Sequence, residues 1–178
     1  MTLRGCLVVQ IREAGLLFGK FDEANCFHIE ESKIYSCLKG KGYKSVEFVL
    51  RLPDRNELLF VEGKTSLPSE QNIERFHEEI ANISRKFMDS VLLTIGIWFG
   101  EHNAKVAVPE NGETFFTYGT QIIFVLVIKN RTWDGLSYIA ECILQKLRCE
   151  HRLMRFKVLV LREEDAIKRK LVIGDVAE

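Results

Sequence analysis

The sequence predicts an α/β chain of mixed, α+β architecture, with helices flanking a central mixed β-sheet. Three observations carry that prediction. Residues 46–52 and 58–66 are rich in β-formers and are joined by Pro53-Asp54-Arg55-Asn56-Glu57, which is turn chemistry. Ile73, Phe76, Ile80, Ile83 and Phe87 recur at spacings of three and four, the buried stripe of a long helix. An unbroken apolar run at 121–128, an amphipathic stretch at 133–147 and a β-rich run at 156–161 then imply a right-handed parallel crossover.

The elements follow in order. Residues 3–11 read as a strand and 15–21 as a second. Ile29-Glu30-Glu31-Ser32 opens a short helix to Leu38, ended by Gly40-Lys41-Gly42. The hairpin comes next. Pro68-Ser69-Glu70 starts the long helix, with Ser69 as N-cap and acidic residues in the first turn, and Gly96 or Gly100 ends it. Residues 101–120 are irregular, with a turn at Pro109-Glu110-Asn111-Gly112. The helix at 133–147 carries the stripe Leu136, Ile139, Ala140, Ile143 and Leu147. No repeat, linker or low-complexity segment interrupts the 178 residues, and the length suits a single domain over 1–178.

The chemistry concentrates in the hairpin. Strand side chains alternate between faces, so Glu62 and Lys64 share a face with Leu58 and Phe60. A turn near 54–57 sets Glu47 opposite either Glu62 or Lys64, with neighbouring Cβ atoms roughly 5 Å apart. Two carboxylates and an ammonium that close need a reason to coexist, and a divalent cation supplies one. The competing reading is a Glu47–Lys64 ion pair on a solvated sheet face, worth ~0.2–1 kcal/mol. The run Leu58-Leu59-Phe60-Val61 weighs against it, being apolar on both faces as in a covered central strand.

At these residues the chain resembles the PD-(D/E)XK nuclease-like superfamily, which has the restriction-endonuclease-like core. Glu47 takes the first acidic position and Glu62-Gly63-Lys64 the Glu-x-Lys element; Val46 stands where the name-giving Pro would be. The pattern spans roughly residues 30–130. The order helix, three strands, helix, strand, helix, strand is the one the resemblance implies. It also implies a metal-dependent phosphodiesterase acting on nucleic acid, DNA ahead of RNA, by in-line attack of water. Glu47 and Glu62 would ligate Mg²⁺ or Mn²⁺ with the Gly63 carbonyl, and Lys64 would position the water. A Glu on the first helix, Glu30 or Glu31, would supplement the site. The resemblance also suggests a homodimer for cleavage of two strands. By position alone, Ser66 and Gln71 follow Lys64 closely enough to contact a phosphate, and Ser66 equally suits a structural role at the strand-to-helix turn.

Composition bounds the alternatives. Lys and Arg number 25, as do Asp and Glu, so no global field draws the chain to nucleic acid. Locally the balance shifts: residues 129–178 hold eleven basic and eight acidic side chains, including Lys168-Arg169-Lys170. This can be a phosphate-facing patch or a solvated surface. Five scattered cysteines without a Cys-x-x-Cys pair suggest reduced thiols. No leader is read at Met1-Thr2-Leu3, and the apolar run at 91–99 falls far short of the ~20 residues of a membrane span, so a cytoplasmic, non-membrane protein is expected. Gly63-Lys64-Thr65 is not a phosphate loop, because Leu58 replaces the first glycine. The four histidines have no metal spacing, and no hydrolase elbow occurs. The rival function is a catalytically silent protein of the same fold, an interaction module with Ile95-Gly96-Ile97-Trp98-Phe99 as its contact surface.

Overall fold

The computed structural model describes residues 7–69, 72–98, 119–130 and 135–174. The predicted strand start at Leu3, the ends of the apolar run at Phe99 and Gly100, the turn at Pro109 and Gln71 lie outside them. Among the described residues no helix is long and apolar enough to cross a membrane.

An α+β fold with a mixed sheet forms, as expected. Strands β1 (Val8–Glu13) and β2 (Leu16–Asp22) make an antiparallel hairpin of their own. Five further strands form the main sheet: β3 (Cys26–Phe27), β4 (Phe48–Leu52), β5 (Glu57–Lys64), β6 (Gln121–Ile128) and β7 (Lys157–Arg162), adjacent in that order. β4 runs antiparallel to both its neighbours, β3 and β5; β5, β6 and β7 run parallel. Helix α1 (Lys33–Leu38) lies between β3 and β4 in the chain, and α2 (Ile73–Trp98) connects β5 to β6. The pair α3 (Leu136–Lys146) and α4 (Arg148–Met154) leads into β7, and α5 (Glu163–Lys168) follows it. The element order therefore departs from the expected helix followed by three strands, since β3 precedes α1 and two strands, β4 and β5, stand between α1 and α2.

The alternation of the strands sorts the core into two layers. Val49, Leu58, Phe60, Phe124 and Leu126 face α2 and α3, and there they meet Phe76, Ile80, Ile83, Phe87, Ile139 and Ile143. Phe124 is the hub of this layer: its ring lies 4.7 Å from Phe87, 4.4 Å from Phe156 and 5.9 Å from Phe60. Phe48, Leu50, Leu59, Val61 and Val125 face the other way, against Phe18 and Phe21 of the hairpin and Ala166 of α5. Burial on both faces explains why β5 and β6 read as continuous apolar runs.

Local differences have local causes. The long helix begins at Ile73 rather than after Ser69, because the Asn72 side chain accepts the Arg75 N–H and caps it. Ile73, placed on the buried stripe, is 58% exposed at that first turn, and Gly96 sits within the helix rather than ending it. Ser32 caps α1 by accepting the Tyr35 N–H, so Glu30 and Glu31 precede the helix.

Helix α2 also fixes the chain entering β4. The Val46 N–H donates to the buried Ser90 Oγ at 2.8 Å, Lys44 N–H to Asp89 at 2.9 Å, and Arg85 to the Gly42 carbonyl at 2.6 Å. Replacing Ser90 with Ala leaves the Val46 N–H unpaired in the core, and urea unfolding should register a loss of about 1–3 kcal/mol. A loss well below that range would show that this contact does not anchor β4.

Candidate functional site

The hairpin register decides which side chains meet. Phe48 pairs with Val61, and the Glu47 N–H donates to the Val61 carbonyl at 3.1 Å. One step further, Glu47 lies opposite Glu62, on the face covered by α2. The sequence left Glu62 and Lys64 as alternative partners, and the structure selects Glu62. Both carboxylates are buried: Glu47 is 6% exposed and Glu62 fully enclosed. That overturns the solvated-face reading, in which Glu47 and Lys64 would pair in water.

Lys64 follows Glu62 on the same face, at the end of β5 where the α2 cover thins. Its ammonium lies 2.8 Å from Glu79 Oε1 and 3.5 Å from Glu62 Oε1. A second ammonium comes from α2: Lys86 Nζ lies 2.7 Å from Glu62 Oε1 and 3.7 Å from Glu47 Oε1. The hairpin pattern did not reveal Glu79 or Lys86. Helical spacing could have, since Glu79, Ile83, Lys86 and Ser90 stand at i, i+4, i+7 and i+11 on one face, with buried Ile83 and Ser90 marking it.

Gly63 points its missing side chain at the hairpin layer, where a Cβ would come within 3.3 Å of the Phe18 ring. Its carbonyl is placed by alternation. The Val61 carbonyl accepts from Glu47 and the Lys64 carbonyl from Lys129, so Gly63 directs its own toward the Glu47 edge. The supplementary acids divide. Glu30 lies beside Glu47, whereas Glu31 is 76% exposed and pairs with His28 at 3.3 Å. Ser66 is exposed beyond the end of β5.

The electrostatics follow from enclosure. Burial pushes the Glu47 carboxyl up to about 9, helped by hydrogen bonding to Glu30 and by the Glu62 charge, and Lys86 opposes the rise only in part. Glu62 is also raised, burial outweighing the attraction of Lys86 and Lys64. Burial pulls Lys86 down, but Glu62, Glu47 and Glu30 more than offset it, and it stays a cation. Among the described residues, one oxygen of each buried carboxylate, Glu47 Oε2 and Glu62 Oε2, finds no hydrogen-bond partner. Two carboxyl groups on paired strands, each with an oxygen left over, are a donor set that a hard divalent cation could take once both are ionised, Mg²⁺ completing its shell with water. Among the described residues no group of three or more His, Cys, Asp and Glu gathers as a ligand set, so the protein side chains would supply two carboxylates.

Compared with family models, curated proteins and solved structures, the chain matches none of them. The functional reading therefore rests on this geometry.

Glu47 makes stability depend on pH. Its folded pKa lies above the ordinary value of 4.5, so its stabilising contribution is complete below about pH 4.5 and is lost as pH rises toward about 9. Urea unfolding of the metal-free protein across that window should show this decline, and Glu47→Gln should flatten it. An equal slope in the variant would place Glu47's proton elsewhere.

Proposed function

We propose that this chain is a metal-dependent phosphodiesterase acting on nucleic acid, with DNA placed ahead of RNA by the resemblance of its hairpin. One observation carries the reading: two buried carboxylates with unpartnered oxygens, Glu47 and Glu62, sit beside Lys64 at the end of a central strand. Glu47, Glu62 and the Gly63 carbonyl would hold Mg²⁺ or Mn²⁺. The bound metal lowers the pKa of its water and neutralises charge developing on phosphorus.

The remaining chemistry belongs to the chain. Lys64 is 26% exposed, so its ammonium can reach a phosphate while staying beside Glu62. There it orients the attacking water and stabilises negative charge in the transition state. Glu79 holds Lys64 over the site at 2.8 Å, which reduces the ordering required on binding. Burial raises the Glu47 carboxyl to about 9, so a cation held there would displace its proton. The β4–β5 ladder and α2 keep the two carboxylates together and exclude bulk water.

A second reading has its own observation. Lys86 at 2.7 Å supplies Glu62 with an internal counter-ion, which is what a catalytically silent interaction module with no metal would need. Divalent metal binding separates the two functions.

The test is incubation of purified protein with single- and double-stranded DNA and RNA in Mg²⁺, Mn²⁺ or EDTA. Glu62→Ala and Lys64→Ala variants, checked for folding by circular dichroism, run beside it. The expected result is metal-dependent cleavage that falls by roughly a hundredfold or more in both variants. Cleavage retained in folded Glu62→Ala would defeat the assignment; no cleavage by wild type together with no metal bound would favour the silent module.

A further inference from the structure

The other face of the sheet carries a second polar feature, remote from Glu62. Two adjoining concavities of about 450 and 620 Å³ open there. They share Leu52, Arg55, Arg169, Lys170 and Leu171, so they form one cleft with two lobes. Each volume lies within the roughly 300–1,000 Å³ span of small-molecule pockets. The second lobe is floored by Leu59, Ile123, Val125 and Leu159. Leu59, Ile123 and Val125 belong to the hairpin-facing layer, on the side of the sheet away from the carboxylate pair. Along β5 the cleft spans Glu57 and Leu59, on the order of 10–16 Å from Glu62 at the strand's rise per residue.

The rim of this cleft is cationic. Lys168, Arg169 and Lys170, the basic triplet that the sequence left between a patch and a solvated surface, line it together. Lys157 at the start of β7 joins them, and Lys20 and Arg55 come from β2 and from the turn after β4. The acidic residues in the lining are Asp22, Asp54 and Glu57, of which Asp22 caps the turn at Ala24. In a chain whose charges sum to zero, this is a local concentration of positive charge.

The triplet is mounted rather than loose. Arg169, Lys170 and Leu171 donate their N–H groups to the carbonyls of Asp165, Ile167 and Ala166. Beyond them, Val172 bridges to Phe18 and the Ile173 N–H donates to Leu17, tying the segment to β2. Lys170 is held at a φ of +60°, a left-handed conformation that a lysine adopts only where its surroundings impose it. The fixed backbone sets these exposed side chains around the apolar floor, and Lys168 also pairs with Asp165 at 3.4 Å.

From this arrangement we infer that the cleft binds a ligand bearing two or more phosphate groups, its phosphates on the Lys168–Lys170 rim and its less polar part over Leu59 and Leu159. The ligand is a free nucleotide or polyphosphate, or the phosphorylated end of a nucleic acid strand. The site is independent of the Glu47–Glu62 pair and requires no metal there.

The experiment is calorimetric titration of the full chain in EDTA with tripolyphosphate, with adenosine diphosphate and with a short 5′-phosphorylated single-stranded DNA. It is repeated on Arg169→Glu/Lys170→Glu, on the distant exposed control Lys39→Glu/Lys41→Glu, and on Glu62→Ala. Saturable binding of at least one probe is expected, weakening with salt. It should drop on the order of tenfold or more in the cleft variant and be unchanged in the control and in Glu62→Ala. Binding of tripolyphosphate or the diphosphate without the DNA assigns a free phosphorylated ligand, and DNA binding assigns the strand. No saturable binding by any probe, or equal weakening in the control, overturns the proposal. Since EDTA removes metal chemistry, failure here leaves the phosphodiesterase reading standing, and loss of cleavage leaves the cleft standing.

Discussion

A carboxylate enclosed in the core is the constraint around which this molecule is organised. Glu62 lies within the central strand with no exposed surface, and an isolated charge there would be strongly unfavourable. Lys86 answers it from α2 at 2.7 Å, and Lys64 contributes from two residues further along the strand. The compensation is incomplete: Glu62 and Glu47 each keep an oxygen without a partner, and both carboxyls are raised. A structural ion pair optimised for stability alone would satisfy those oxygens or replace the group with an apolar one. Retained dissatisfaction at the end of a strand, beside partly exposed lysines, is the physical basis for treating the cluster as functional.

The fold serves that constraint in two ways. The antiparallel β4–β5 ladder sets Glu47 against Glu62, and a slip of one residue would send either carboxylate to the opposite face. The parallel crossover from β5 through α2 to β6 lays one helix face along the same strands. That face carries Glu79, Lys86 and Ser90 in succession, so one element steadies Lys64, neutralises Glu62 and fixes the approach of the chain to Glu47. The stacked Phe87 and Phe124 rings, 4.7 Å apart, hold the helix at that height.

Much of this was legible in the sequence because it depends on short-range pattern. Alternation along 58–64 put Glu62 and Lys64 on one face, and the turn at 53–57 brought Glu47 to them. The stripe Phe76, Ile80, Ile83 and Phe87 foretold which side of α2 is buried. Lys86 escaped notice because its partner is 24 residues away, and the helix stripe gives the azimuth of a side chain without its height over the sheet. Glu30 and Glu31 could not be told apart, since the choice depends on the Ser32 cap that starts α1 after them. Strand β3 has only two residues and α5 only six, too little for any periodicity. The gathering of Lys168–Lys170 with Lys20 and Arg55 was likewise beyond the sequence, because the antiparallel bridge at Val172 makes it.

On the proposed function, the enclosed pair of carboxylates would accept a divalent cation by surrendering a proton. Calorimetric titration of Mn²⁺ into the wild-type protein near neutral pH, in buffers of different ionisation enthalpy, tests it most directly. Saturable binding with release of a proton is expected, absent in Glu62→Gln and without proton release in Glu47→Gln. A wild-type protein that binds no Mn²⁺, or binds it with no proton released, would contradict it.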